Sequence, residues 1–265
     1  MATDGLKGKW ALVLGASSGF GAACSRELAA HGMNVAGVHL DRRAALAGVE
    51  ELIKDLQGRG AQVQFFNVNA ADPVKRQEVL DQIQPKLGGQ PVCVLLHSLA
   101  FGTLKPFIAP DPKEQLTKDQ MDMTIDVMAN SLVYWVQDLV GRKMLGKGSR
   151  VFAMTSSGGT RVWPTYGAVS AAKAALESHI RQLAMELAPL GATANAIRAG
   201  VTDTPALRKI PGNEQMMEFS KFRNPYKRLT TPEDVAHAVA ILANSGADWV
   251  TGNTIGVDGG EDIVG

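Results

Sequence analysis

The stretch Trp10-Ala11-Leu12-Val13-Leu14-Gly15-Ala16-Ser17-Ser18-Gly19-Phe20-Gly21 decides the architecture. Its first five residues form a short apolar run, the pattern of a strand buried on both faces. A glycine turn spaced G-x-x-x-G-x-G follows, and residues 22–31 carry helical periodicity. Strand, glycine turn and helix in that order give such glycines chemical meaning. The missing side chains at Gly15, Gly19 and Gly21 let a pyrophosphate approach the backbone, and the helix N-terminus presents unpaired N–H groups to it.

The alternation continues to the end of the chain. Strands are expected at 34–40, 61–68, 92–96, 150–154, 193–197 and within 251–260. Helices are expected at 44–57, from Asp72-Pro73 onward, over 118–145, over 166–188 and from Thr231 to Asn244. Asp72 and Thr231 are the residue types that cap helix N-termini, each followed by a proline suited to the first turn. Helices alternating with strands predict an α/β fold with one doubly wound parallel sheet. One domain is expected over 1–265, with no linker, repeat or low-complexity tract. The segment 203–226 is long and irregular or lightly helical, and it is read as a lid or wall of a substrate site.

Composition narrows the function. The 265 residues are 45% hydrophobic and 20% charged, with a formal net charge of +1, so no field suited to nucleic acid or an anionic membrane is expected. Cys24 and Cys93 lie in apolar stretches and read as buried free thiols, and no metal-ligand spacing is present. The start carries no apolar signal core, and no 18-residue apolar run occurs, so a cytoplasmic protein is expected.

Two residues carry the catalytic reading. Tyr166 precedes Lys173 by seven positions at the start of an alanine-rich helical stretch. Seven residues return to within about 20° of one helical face and rise about 10.5 Å, so both polar heads can face one cleft. A buried ammonium beside a phenol favours phenolate, and the pair can serve an oxygen that gains negative charge. By itself that spacing more often means a packed ring and a solvated amine; the surrounding motifs raise the chemical reading. His97, at the end of the fourth strand, is read as a structural donor rather than a catalytic base. After the second strand stands Asp41-Arg42-Arg43. The guanidinium groups suit a 2′-phosphate and favour NADP(H), while Asp41 could bond a ribose hydroxyl and leaves NAD(H) open.

Together the glycine turn, the serine-bearing fifth strand, the Tyr/Lys helix and the run Thr251-Gly252-Asn253-Thr254-Ile255-Gly256-Val257-Asp258-Gly259-Gly260 resemble the short-chain dehydrogenase/reductase family over nearly the whole chain. The resemblance implies a Rossmann-type fold, a nicotinamide cofactor and a homotetramer. It implies cofactor contacts from Gly15, Ser17, Ser18, Gly19, Phe20 and Gly21, from Arg42 and Arg43, from Asn67 and Val68, and from Ser98, Lys173, Gly200, Thr202 and Thr204. It also implies Tyr166, Lys173 and Ser156 as the catalytic set, with Ser157 nearby. Most of the family has tyrosine four residues before lysine, where this chain has Val169. Tyr-x6-Lys resembles the enoyl-acyl-carrier-protein reductase branch, as does His97-Ser98-Leu99-Ala100-Phe101. Asp203 to Pro211 with Asn224-Pro225, and serine at position 156, are closest to its FabL type. Asp126 stands where carbonyl-reducing members have a relay asparagine.

The resemblance therefore implies reduction of an enoyl thioester on acyl carrier protein, in fatty-acid synthesis. The spacing has a physical rationale. In an enoyl thioester the hydride goes to the β-carbon and charge appears on an oxygen farther along. Moving tyrosine from four to seven residues before lysine shifts its anchor by about 4.5 Å. The residues 206–222 would wall the acyl channel. Two other readings stay open: a reductase of a ketone or a cyclic enoyl-CoA, and a cofactor-sensing protein without catalysis.

Overall fold

The structure, a computed structural model, describes residues 5–264. The expected domain boundaries at residues 1–4 and 265 lie outside the described residues. Strand β1 (Trp10–Leu14) passes through the glycine turn into helix α1 (Gly19–Ala30). Then come β2 (Asn34–His39), α2 (Leu46–Gly58), β3 (Val63–Asn67), α3 (Pro73–Ile83) and β4 (Val94–His97). Helices α4 (Lys118–Ile125) and α5 (Ser131–Gly141) lead to β5 (Arg150–Ser156) and the long α6 (Gly167–Leu187). The chain closes with β6 (Thr193–Ala199), α7 (Asn213–Arg223), α8 (Pro232–Ala243) and β7 (Thr254–Val257).

The strands form one sheet in the order β3-β2-β1-β4-β5-β6-β7, parallel throughout. Strand order reverses between β1 and β4, where Leu14 pairs with Val38 on one side and His97 on the other. Connections leaving opposite ways at such a point open a crevice at the carboxyl edge. This is the doubly wound parallel sheet expected from the alternating pattern, and the Rossmann-type fold that the resemblance implies.

Both faces are covered, which is why the strands read as unbroken apolar runs. Leu28, Leu52 and Val239 pack against Val13 and Val35 on one face. Leu80, Trp135, Leu176 and Ile180 pack against Leu12 and Leu95 on the other. Each such side chain contributes about 1.5–3 kcal/mol of hydrophobic stabilisation. The capping residues act as anticipated. Asp72 accepts from the backbone N–H of Val74 at 2.8 Å and of Lys75 at 3.0 Å. Thr231 and Asp234 cap each other reciprocally at the start of α8.

The helix expected over 118–145 is not continuous. A π turn at Asp126–Asn130 separates α4 from α5, and α5 stops at Gly141. Such a turn holds one residue more than an α turn, so it rotates the side chains that follow. Ser131 stabilises it by donating its hydroxyl to the Val127 carbonyl at 2.8 Å. The end comes because Lys143 turns left-handed (φ 57°) and Met144 N–H bonds back to Leu139 at 2.7 Å. Strand β4 starts two residues later than expected and ends one residue later, which draws His97 into the sheet. The segment 203–226 contains the well-formed helix α7.

Among the described residues no helix is long and apolar enough to cross a membrane. Cys24 and Cys93 are both buried and free, and burial pushes the Cys24 thiol up to about 12. Neither should react with an aromatic disulfide reagent while the protein is folded, and both should react at once in denaturant. Rapid labelling of the native protein would show that α1 or the start of β4 opens locally.

Candidate active site

A cavity of about 680 Å³ lies along the carboxyl edge of the sheet. The glycine turn forms one end. Gly15 has φ +87°, and a Cβ there would sit 2.4 Å from the Ser98 carbonyl oxygen. A Cβ on Gly21 would sit 2.0 Å from the Gly15 carbonyl oxygen. No side chain fits at either position, so β1, α1 and the end of β4 close on bare backbone. Ser18 caps α1 without a side-chain bond, and among the described residues the N–H groups of Gly19, Phe20 and Gly21 have no acceptor. This cradle fits the pyrophosphate of a dinucleotide.

Most residues expected to contact a cofactor line this cavity: Gly15, Ser17, Ser18, Gly19, Phe20, Val68, Ser98, Lys173, Gly200, Thr202 and Thr204. Four do not. Gly21 lies beneath the turn. Asn67 is occupied, since its side chain accepts from Asp41 N–H at 2.9 Å and donates to the Asp41 carbonyl at 3.0 Å. Arg42 and Arg43 are exposed just past β2, outside the lining. Asp41 does line it, with its carboxylate 2.9 Å from His39 Nδ1.

Tyr166, Ser156 and Lys173 come together at the other end. Strand β5 carries Ser156, the loop that follows turns back, and Tyr166 opens α6. The Tyr166 ring lies against Gly158, where a Cβ would meet Cε1 at 2.4 Å. Lys173 is buried on the inner face of α6 and donates from Nζ to the Met154 carbonyl at 2.7 Å. Burial pulls the lysine down to about 8, opposed by the carboxylate of Glu177 one turn on.

The expected acidification of the phenol by Lys173 is not what this arrangement delivers. Burial raises the Tyr166 phenol above its ordinary value, and the influence that opposes burial is a hydrogen bond with Ser156. The ammonium is directed at the Met154 carbonyl and Glu177 instead. The Lys173 ammonium thus answers to burial, the Met154 carbonyl and the Glu177 carboxylate rather than to the resting phenol.

Val169, four residues before Lys173, is buried against Met128 and Ala172, and its Cγ2 would lie 2.8 Å from a Cβ on Gly102. His97 is wholly buried, with Nε2 2.9 Å from Ser131 Oγ. Burial and the nearby Lys173 charge push it down to about 3, so it stays neutral and structural. Asp126 opens the π turn and does not line the cavity. Thr204 uses its hydroxyl to accept from Leu207 N–H at 3.2 Å.

Sequence reasoning missed Arg161, Trp163 and Glu261, which also line the cavity. Glu261 accepts from Val201 N–H at 3.1 Å and faces Arg223 at 3.5 Å, joining the turn after β6 to the end of α7. No local pattern marks a carboxylate near the C-terminus as a partner of residues 60 positions earlier.

A family model described as Enoyl-(Acyl carrier protein) reductase matches residues 15–261. The chain belongs to that family of short-chain dehydrogenase/reductases. It is therefore a nicotinamide-dependent oxidoreductase. It is 28% identical to 1-cyclohexenylcarbonyl-CoA reductase of Streptomyces collinus, over 96% of this chain and 86% of that one. It is 32% identical to the 3-oxoacyl-[acyl-carrier-protein] reductase FabG of Pseudomonas aeruginosa, over 96% and 98%. Among solved structures, the NADH-dependent enoyl-[acyl-carrier-protein] reductase of Aquifex aeolicus superimposes with a TM-score of 0.85 at 25% identity, covering 98% of both chains. These relatives reduce different substrates, so family membership sets the reaction class and leaves the substrate to the site.

The depressed lysine has a stability consequence. Its charged form is disfavoured by roughly 3 kcal/mol in the fold. That cost is full below pH 8 and fades as pH rises towards 10.5, where the unfolded lysine also loses its proton. Lys173→Met removes the cost but strands the Met154 carbonyl, at about 1–3 kcal/mol. The thermal midpoint at pH 7 should therefore barely move, while reductase turnover falls about 100-fold or more. A midpoint drop beyond about 5 °C would make the lysine a structural residue first.

Proposed function

We propose that this protein is an NAD(P)H-dependent enoyl-thioester reductase acting on acyl groups carried by acyl carrier protein in fatty-acid synthesis. One observation carries the reading. The cavity-facing phenol is Tyr166, and Val169, where the resemblance places the tyrosine of most of the family, is buried one helical turn nearer Lys173. A nicotinamide held along this cavity would supply hydride, delivered to the β-carbon of the enoyl group. Tyr166 donates a hydrogen bond, and then a proton, to the thioester oxygen on which charge develops. Ser156 orients the phenol. Lys173 would hold the nicotinamide ribose and offer positive charge beneath the oxyanion. The walls formed by Phe101, Leu104, Met123, Ile210, Met216 and Phe219 are apolar and suit an acyl chain while excluding water.

NADP(H) is the favoured cofactor in this reading. Arg42 and Arg43 stand free of salt bridges among the described residues and can close on a 2′-phosphate, while the Asp41 carboxylate is already engaged by His39. A cytoplasmic homotetramer accords with the family.

Oxidation of NADPH should accompany reduction of crotonyl and longer enoyl thioesters, and not of a β-ketoacyl thioester. Tyr166→Phe should lower kcat about 100-fold with an unchanged Kd for the cofactor. Consumption only with ketones would make the protein a carbonyl reductase, and cofactor binding without turnover on any substrate would make it a sensor. Replacing Arg42 and Arg43 together by Ala should raise KM for NADPH about 10-fold and leave NADH untouched. If both cofactors respond equally, Asp41 rather than the arginines reads the ribose.

A further inference from the structure

The loop between β5 and α6 is tied down from outside. Arg161 donates to the Asp262 backbone carbonyl at 2.9 Å and pairs with its carboxylate at 2.9 Å. Trp163 reaches the lid: its indole Nε1–H donates to the Pro211 carbonyl at 3.0 Å. Its Cζ2 would lie 3.3 Å from a Cβ on Gly212, the residue that caps α7. Trp163 is thus the aromatic arm that joins the catalytic loop to the first turn of the lid helix. Among the described residues it is the only donor to the Pro211 carbonyl.

The same residue begins the turn that delivers the phenol. Tyr166 N–H bonds to the Trp163 carbonyl at 3.2 Å, closing the four-residue turn Trp163-Pro164-Thr165-Tyr166. Proline at the second position and a positive φ at the third follow the type II pattern, in which the third residue is normally glycine or asparagine. Here it is Thr165, with φ 64°. A β-branched residue in that region costs on the order of 1–3 kcal/mol and persists only where its surroundings hold it. Its buried hydroxyl also has no hydrogen-bond partner among the described residues. The turn is strained at the residue immediately before the phenol, and the hydrogen bond from Trp163 to the lid is part of what holds it.

We propose that Trp163 is a positioning residue that couples closure of the 203–226 lid to alignment of the Tyr166 phenol. With Pro211 on the indole, the turn keeps the ring on Gly158 and the hydroxyl in the cavity. When the lid lifts, the turn relaxes and the phenol leaves its place. This inference rests on the reading of Tyr166 as the group that serves the substrate oxygen, but not on the identity of the substrate. Tryptophan suits the task because its donor is rigidly fixed to a large ring, so a small lid displacement is transmitted to the backbone of the turn.

Two variants test it. Trp163→Phe keeps most of the packing and removes the donor, and Thr165→Gly removes the strain that the bond restrains. With NADPH and crotonyl-CoA, Trp163→Phe should lower kcat about 5–20-fold, the loss of one oriented hydrogen bond, and leave KM for NADPH unchanged. Proteolytic cleavage within 203–226 should speed up. The Tyr166 phenol, isolated by its difference from Tyr166→Phe in a spectrophotometric titration, should fall back towards its ordinary value as burial is relieved. Adding Thr165→Gly to Trp163→Phe should change kcat far less than adding it to the parent, because the two residues act through one turn. Unchanged kcat, proteolysis and titration in Trp163→Phe would overturn the proposal, as would independent effects of the two substitutions. If crotonyl-CoA is not a substrate, acetoacetyl-CoA replaces it. In that case the substrate reading falls, while the titration and proteolysis still decide the role of Trp163.

Discussion

The fold depends on a contact that admits no side chain. Gly15 and Gly21 bring the end of β1, the first turn of α1 and the Ser98 carbonyl together over distances that a Cβ would occupy. A larger residue at either position would push α1 away from the sheet. The crevice between β1 and β4 would then lose the wall that carries its free N–H groups. A doubly wound sheet sets where such a crevice must be, but the glycine contact makes it narrow enough to hold a phosphate by its backbone.

Around that cradle, the chemistry is arranged by depth. Lys173 is buried far enough to lose much of its preference for charge, and it is steadied by one carbonyl and one carboxylate. Tyr166 sits on the rim of the same helix, packed on Gly158 and within reach of Ser156. Val169 occupies the intervening turn as an apolar plug against Met128. The helix therefore offers a phenol displaced outward from its lysine, with an apolar side chain in the turn between them. Such a site keeps a disfavoured charge in the resting protein, the kind of perturbation that clusters where chemistry is done.

The segment 203–226 and the loop between β5 and α6 are less separate than their distance in the chain suggests. Trp163 and Glu261 each bridge segments far apart in sequence, one at the start of α7 and the other at its end. Both were invisible in the local pattern, because a lone tryptophan or a glutamate near a terminus carries no periodicity or spacing signal. The misplaced end of the helix expected over 118–145 has a similar origin. Its apolar spacing continues through Asp126–Asn130, and only the buried partnership of Ser131 with His97 and Val127 marks the π turn. The expected acidification of Tyr166 went astray for a related reason. Helical spacing puts two side chains on one face but does not say which acceptor the ammonium will choose.

Taken alone, the sequence determined the alternation of strands and helices, the glycine turn after the first strand, the helix caps and the shared face of Tyr166 and Lys173. Each of these is a short-range matter of periodicity, backbone freedom or neighbouring hydrogen bonds. Only the tertiary structure decided that Lys173 points at Met154, that Asn67 braces Asp41, that Val169 plugs the nearer turn and that Trp163 bonds the Pro211 carbonyl. Those outcomes depend on which groups from distant segments meet out of water, and burial there decides both the charge a side chain carries and the partner it takes.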